Sequence, residues 1–209
     1  MSDVKQNQSH TLHDELHDHA AHHHDHHHDD HGNFLTKYVF STDHKVIAKQ
    51  FLITGIIMAI LGIGMSTLFR LQLAFPGQSI PLLETLLGKW APDGVMKPEF
   101  YLALVTMHGT FMVFFVLTAG LSGTFSNFLI PLQVGARDMA SGFINMLSYW
   151  FFFTSSVIMV ISLFVESGPA AAGWTIYPPL SALPQAIPGS GMGMTLWLIS
   201  MTLFIASSL

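Results

Sequence analysis

Long apolar stretches alternate with short polar segments over most of this 209-residue chain. No Asp, Glu, Lys or Arg occurs from Gln50 to Phe69 or from Phe100 to Ala136. A helix needs about 20 mostly apolar residues to cross a hydrocarbon core of about 30 Å. The pattern therefore predicts an all-α membrane protein, a polytopic transmembrane helix bundle with spans at about 46–70, 100–131, 139–165 and 190–209.

The ends of these spans carry local signals. A Ser or Thr within Ser41-Thr42-Asp43-His44-Lys45 is expected to cap the first helix, and Pro131 is expected to end the second. The fourth apolar run continues to Leu209, where a helix ending inside the bilayer would leave a carboxylate in hydrocarbon. We therefore expect the sequence to be a fragment of a longer polypeptide.

Composition excludes several function classes. Hydrophobic residues make up 50% of the chain and charged residues 10%, a balance far from that of soluble domains. Cysteine is absent, so any metal site must use nitrogen, oxygen or thioether ligands. No basic patch exists, so no nucleic-acid binding is expected.

Five Lys and Arg residues lie on the side of the N-terminus against three on the other side, which favours a cytoplasmic N-terminus.

The first 33 residues differ from the rest. They hold eleven of the thirteen histidines, interleaved with aspartates, and no apolar segment. The pattern predicts a disordered cytoplasmic tail over 1–33, followed by a membrane domain over 34–209. Its imidazoles would bind divalent metal ions such as Zn, Ni or Cu. The tail either has a metal-handling role or is a solvated segment with incidental affinity.

One histidine, His108, lies inside the second apolar run. An imidazole in hydrocarbon must be hydrogen-bonded or bound to a metal, so it marks a functional-site hypothesis. With Met112 one turn on and phenylalanines around it, His108 supplies half of a heme pocket. A histidine hydrogen-bonded to a neighbouring helix is the alternative.

Small residues recur along the first span at four, three and four residues: Gly55, Ala59, Gly62 and Ser66. This spacing aligns them in one stripe and lets another helix approach closely. We expect this face to be packed against protein.

Several sequence blocks occur in a characteristic order. They are Ser-Thr-Asp-His-Lys at 41–45, Phe69-Arg70 with Phe75-Pro76-Gly77, Met107-His108-Gly109 with Met112, Asn127 with Pro131 to Ala140, Asn145, Leu147 to Trp150, and Gly173 to Leu180. Over roughly residues 40–209 the chain resembles subunit I of the heme-copper terminal oxidases, the cytochrome c oxidase family. The resemblance implies the first four helices of a roughly twelve-helix subunit.

The resemblance also implies cofactor contacts. His108 is expected to be an axial ligand of the low-spin heme iron, with an a-type heme, and Met112 to lie beside it. Arg70 matches the arginine near the rim of that heme, and Trp174 the tryptophan that hydrogen-bonds a propionate of the high-spin heme. The high-spin heme, the copper and their ligands belong to later helices of the full-length subunit.

A proton pathway is implied in the same way. Asp138 resembles the carboxylate at the cytoplasmic mouth of the family's D pathway, and Asn127, Asn145 and Ser148 match polar positions farther along it. If the third helix begins near Asp138, residues seven and ten positions on share its face. A plain loop charge at Asp138 and a helix-packing amide at Asn145 are the alternative.

The function implied is electron transfer to a heme–copper centre that reduces O₂ to water, coupled to proton pumping. The fragment alone lacks the binuclear centre and is expected to be inactive. Expected partners are the lipid bilayer, subunits II and III, and cytochrome c or another electron donor. The expected location is the bacterial inner membrane, crossed several times.

Some alternatives stay open. A quinol oxidase or a nitric oxide reductase belongs to the same superfamily, and a metal-ion transporter with a His-rich sensing tail or a structural subunit belongs to other classes.

Two places depart from the family pattern: Gln72 stands where a glutamate of a calcium or sodium site is common, and Ser141-Gly142-Phe143 replaces Phe-Pro-Arg.

Overall fold

The computed structural model describes residues 38–183, 185–186 and 191–208, and this part of the chain contains helices and no β-strand. The predicted all-α fold class is confirmed. The tail expected over residues 1–33 lies outside the described residues. The helices are α1 (His44–Ala74), α2 (Pro81–Leu87), α3 (Pro98–Val134), α4 (Gly142–Ser162) and α5 (Met192–Ala206), with short 3₁₀ turns at Gly88–Trp90 and Pro92–Gly94.

Three of these helices are long and apolar enough to cross a membrane. They are α1 with 31 residues, α3 with 37 and α4 with 21. The helix α5 has 15 residues, fewer than the roughly 20 that a span requires. The expected third span began at residue 139, but α4 begins at Gly142, where a Cβ would lie 2.9 Å from the Thr42 carbonyl oxygen. Glycine at this departure from the family pattern therefore lets α4 start against the backbone before α1.

Two expected helix ends were wrong. The N-cap of α1 is Asp43 and not a Ser or Thr, because the Asp43 carboxylate accepts a hydrogen bond from the Lys45 backbone N–H at 2.9 Å. Pro131 does not end α3, which continues to Val134. The helix stops at Gly135, whose φ of 73° is left-handed, and the Ala136 N–H then bonds the Pro131 carbonyl at 2.9 Å. The end is thus set by glycine and not by proline.

The middle of α3 is a π-helical segment, Phe111–Leu121. Its wider turns bring residues five apart together, and the Thr118 hydroxyl donates to the Val113 carbonyl at 2.8 Å. Such segments are rare and often occur at functional sites. This segment packs against α1, and no feature of the apolar pattern predicted it.

The small-residue stripe of α1 faces this π-helical segment, which confirms the predicted close packing. A Cβ on Gly55 would lie 3.1 Å from Gly120 Cα, and one on Gly62 would lie 2.8 Å from Met112 Sδ. The two backbones therefore approach to a distance that only glycine allows. Gly64, on another face of α1, has no atom within 4 Å of a Cβ position.

The remaining helices are joined by stacked rings and serine hydroxyls. Phe152 on α4 lies between Phe51 and Phe115, with ring centroids 5.2 and 6.1 Å away. About one turn farther along α4, the Ser155 and Ser200 hydroxyls each donate to the other's backbone carbonyl at 2.7 Å. These buried reciprocal bonds fix α5 against α4, as polar contacts do inside membrane bundles.

Replacing Gly55 by Ala tests the α1–α3 contact. We expect a loss of about 1–3 kcal/mol in the free energy of unfolding, because the new methyl group meets rigid backbone. Gly64→Ala is the matched control on the same helix and should not destabilise. Helicity followed during denaturant titration of the intact protein in detergent measures both variants, and equal stability would contradict the close contact.

Candidate functional site

His108 lies on α3 with its ring turned to α1. Its Nδ1 is 2.8 Å from the Gly62 carbonyl oxygen, and its ring packs edge-on against Phe69 with centroids 5.6 Å apart. A carbonyl oxygen only accepts hydrogen bonds, so Nδ1 must be the donor. The proton is therefore held on Nδ1, and the lone pair of the neutral ring is on Nε2.

Gly62 is the residue that sequence reasoning missed at this site. It was predicted only as part of a packing stripe, yet its carbonyl orients the imidazole. Its missing Cβ also leaves the space that Met112 Sδ occupies. The small-residue spacing was the available signal, but it carried no information about which carbonyl would face His108.

The geometry at His108 fits a metal ligand. Metal-bound histidines almost always donate their other ring N–H to a carbonyl, carboxylate or water, as His108 does to Gly62. Within the described residues, no three His, Cys, Asp or Glu side chains lie together. A heme iron needs only axial ligands from protein, because the macrocycle supplies its other four. A single oriented imidazole in apolar surroundings therefore fits a heme better than a bare ion.

The other expected cofactor residues take different positions. Met112 is half-buried beside Gly62, whereas Arg70 is exposed and has no ion pair within the part of the chain described. Trp174 is 53% exposed, and its ring centroid lies 5.8 Å from that of Phe114 on α3. The structure thus brings Met112 to the His108 face and holds the Trp174 loop over α3, where the Gly173 N–H donates to the Thr106 hydroxyl at 3.0 Å.

Gln72, which stands at the family's cation position, has a structural contact. Its side-chain oxygen accepts a hydrogen bond from the Met96 backbone N–H at 2.8 Å. This bond ties the end of α1 to the segment before α3. The amide oxygen of Gln72 therefore serves as an acceptor for backbone.

At the opposite end of the helices, Asp138 pairs with His44. The His44 Nδ1 lies 2.9 Å from Asp138 Oδ1, and the Met139 backbone N–H donates to the same oxygen at 2.8 Å. His44 is only 3% exposed, whereas the Asp138 side chain is 53% exposed. Asp138 was expected near the start of the third helix, but it lies in the loop before α4. Sequence reasoning missed His44, which it treated as part of a helix-start motif.

Competing effects act on the pKa of Asp138. Partial burial raises this pKa, but the hydrogen bond from the Met139 N–H and the hydrogen bond and charge of His44 together lower it below its usual value. The carboxyl group is therefore ionised at neutral pH and exposed to water on one side. Such a group accepts protons from bulk solvent and releases them readily.

A cavity of about 510 Å³ begins at Met139, next to Asp138, and runs between α3, α4 and the end of α5. Asn127, Asn145 and Ser148 all line it. The Asn127 amide donates to the Gly123 carbonyl at 2.7 Å, and the Ser148 hydroxyl donates to the Ser207 carbonyl. The side-chain nitrogen of Asn145 has no hydrogen-bond partner among the described residues. No hydrogen bond of this nitrogen therefore supports the helix-packing alternative.

Two amide atoms in this region are buried without partners among the described residues. They are the side-chain oxygen of Asn127, an acceptor, and the side-chain nitrogen of Asn145, a donor. Buried polar atoms of this kind are normally satisfied by bound water when a polar cavity adjoins them. The arrangement can therefore hold water between an ionised carboxylate and the middle of the bundle.

Comparison with known proteins identifies the family. Residues 46–209 match the family model described as Cytochrome C and Quinol oxidase polypeptide I. The chain belongs to this family. It is 42% identical over 170 residues to the alternative cytochrome c oxidase subunit 1 of Bradyrhizobium diazoefficiens, which covers 81% of this chain and 26% of that protein.

More distant relatives give the same assignment. The chain is 36% identical over 173 residues to cytochrome c oxidase subunit 1 of Synechocystis, covering 82% of the chain and 27% of the relative. It is 33% identical over 171 residues to the heme-copper oxidase subunit I+III of Aeropyrum pernix, covering 82% and 19%. The chain thus spans about a quarter of the length of the first two relatives. The predicted heme-copper oxidase subunit I family, an electron-transport oxidoreductase family of multi-pass membrane proteins, is confirmed.

Removing the His44 ring tests the ion pair. In His44→Leu we expect the pKa of Asp138 to rise, because one donor and its charge are lost. The carboxyl C=O infrared band assigned by comparison with Asp138→Asn should then titrate at higher pH. Lys45→Gln is the control, since Lys45 contributes no side-chain contact to Asp138. An unchanged titration in His44→Leu would mean that the Met139 N–H alone sets the pKa.

Proposed function

We propose that this chain carries one axial ligand of a low-spin heme and a proton-uptake site within a proton-pumping respiratory oxidase. The intact enzyme would reduce O₂ to water at a centre of high-spin heme and copper. The observation that carries the proposal is the Nδ1–Gly62 hydrogen bond of His108, which leaves Nε2 free to bind iron. The ligands of the heme–copper centre would come from later parts of the subunit.

The residues around His108 would hold the low-spin heme, which supplies reversible one-electron transfer when bound. His108 would bind the iron through Nε2, and the Gly62 carbonyl would hold the ring orientation and raise its basicity. Met112 and Phe69 would keep water from the ligand. Arg70 would lie near the rim of the macrocycle, where its fixed positive charge would favour acceptance of an electron by the heme. The proposed heme is a-type, as the family resemblance implies.

Asp138 and the polar cavity would supply protons. Because its pKa is lowered, Asp138 stays ionised at neutral pH and takes up protons only transiently. Asn127 and Asn145 would hold water through their unpaired acceptor and donor, and Ser148 would add a hydroxyl to the same track. Protons would then move from Asp138 along bound water into the bundle.

The positive charges support an orientation in which Asp138 faces the cytoplasm of a bacterial inner membrane. Subunits II and III are the expected partners, and the name of the Aeropyrum relative, subunit I+III, supports an association with subunit III. Cytochrome c is the proposed electron donor. Quinol is the second candidate, because the family description includes quinol oxidases.

The His108→Ala variant of the intact protein tests the heme assignment. We expect the α-band of the low-spin heme to be lost from the reduced-minus-oxidised spectrum, because His44, the other histidine among the described residues, lies at the start of α1 and pairs with Asp138. Thr118→Ala, an exposed residue on the same helix, is the control. A normal heme spectrum in His108→Ala would refute the assignment and favour a structural or transport role.

The proton proposal is tested by Asp138→Asn. Turnover should fall and proton pumping should be lost, while the heme spectrum stays normal, because only the proton-accepting group is removed. Proton uptake by the enzyme in lipid vesicles measures the effect. Arg137→Gln is the neighbouring control, and full pumping in Asp138→Asn would place the uptake site elsewhere.

The His-rich tail is proposed to help load copper when copper is scarce. Its eleven histidines are the supporting feature. Deleting residues 2–31 should then lower copper occupancy of the intact oxidase in copper-limited cells and leave it normal in copper-replete cells. Metal analysis of the purified enzyme measures this, and equal occupancy under limitation would leave the tail with incidental affinity only.

A further inference from the structure

A second cavity, here called the lipid groove, lies at the end of the helices opposite Asp138. It has a volume of about 590 Å³ and lies between α1, α2, α3 and the segment that follows α4. Its inner wall is formed by buried side chains, namely Met65, Phe100 and Leu104, and its rim by Ile60, Leu86 and Phe164, which are 64%, 60% and 82% exposed. We propose that this groove binds one molecule of phosphatidylethanolamine.

The length of the groove fits an acyl chain of one leaflet. On α1 it extends from Leu68 back to Ile60, and eight residues of helix rise about 12 Å. Half of a hydrocarbon core of about 30 Å is about 15 Å. The groove therefore runs from the membrane surface almost to the middle of the bilayer.

The two charged residues of the groove lie at its surface end. Lys89 and Glu166 both line it, and the other lining residues are apolar or glycine apart from the ring nitrogen of Trp90. The Lys89 ammonium donates to the Glu166 backbone carbonyl at 2.7 Å and lies 5.2 Å from the centre of the Trp90 ring. These contacts hold a cation at the mouth and leave the exposed Glu166 carboxylate beside it.

This pairing of charges selects the headgroup. A phosphate would meet Lys89, and a primary ammonium would meet the Glu166 carboxylate. Phosphatidylethanolamine carries both groups on one short linker, whereas the glycerol of phosphatidylglycerol would offer the carboxylate only neutral hydroxyl groups and no cation. Trp90 has the amphipathic ring that favours the headgroup level.

Gly64 offers a direct way to close the groove. It lines the cavity, and no atom lies within 4 Å of its Cβ position, so a larger side chain enters the groove without displacing protein. Gly64→Leu should fill the lipid groove, and Gly64→Ala is the matched control. Lys89→Gln removes the cation at an exposed position. Lys97→Gln is its control, because Lys97 also lies over Trp90, at 5.8 Å, but does not line the groove.

The experiment uses the intact oxidase, delipidated in mild detergent and incubated with equal amounts of phosphatidylethanolamine and phosphatidylglycerol. Native mass spectrometry counts the lipids retained. We expect phosphatidylethanolamine retention to fall to background in Gly64→Leu and about fivefold in Lys89→Gln, as expected for one lysine at a membrane surface. Gly64→Ala and Lys97→Gln should match the unaltered protein, and size-exclusion profiles and helicity should be normal throughout.

Three results would overturn the proposal. Equal retention in Gly64→Leu and Gly64→Ala would mean that the groove does not hold the lipid, as would be found if another helix of the intact protein covers it. Preferential retention of phosphatidylglycerol would contradict the headgroup assignment. Unchanged retention in Lys89→Gln would contradict the phosphate contact and remains decisive if Gly64→Leu does not fold.

Discussion

The close contact between α1 and α3 is the constraint on which the rest of the site depends. Gly55 meets Gly120 backbone to backbone. Two turns farther along α1, the same close approach brings the Gly62 carbonyl within hydrogen-bonding distance of His108. If the two helices were separated by even one methyl group, Nδ1 would lose its acceptor. The imidazole would then be free to rotate or change tautomer, and its Nε2 would no longer have a fixed direction.

The bundle keeps two kinds of chemistry at different levels of the membrane domain. The imidazole of His108 lies among phenylalanines and methionine in an apolar environment. The His44–Asp138 pair and the Asn127 and Asn145 amides lie at the other end, along a polar cavity that adjoins solvent. This separation agrees with the proposed function, in which electrons would pass through a dry region and protons through a wet one. The lowered pKa of Asp138 and the burial of His44 are related, because the buried His44 ring helps to hold the exposed Asp138 carboxylate in its ionised form.

The surface of the domain also differs from one face to another in polarity and in packing. The face that carries the proposed lipid groove is apolar, with Lys89, Trp90 and Glu166 collected at its surface end. The small-residue face of α1 packs against α3, and the face with Gly64 is open. The helix α1 therefore has two different faces. Gly55 and Gly62 allow close contact with α3, whereas Gly64 leaves space in the proposed lipid groove.

Much of this protein was determined by sequence alone. Long uncharged runs dictate helices, since only a helix satisfies its backbone in hydrocarbon, and the motif order around His108 and Asp138 identified the family. The small-residue spacing of α1 also predicted a close helix contact. The tertiary structure decided what periodicity cannot encode: that Gly62 supplies the acceptor for His108, that His44 reaches Asp138 across 94 positions, and that α3 contains a π-helical segment. It also moved the end of α3 from Pro131 to Gly135 and the start of α4 to Gly142. These features depend on which backbone and side-chain atoms meet between helices, and those meetings are set by packing in three dimensions and not by the local order of residues.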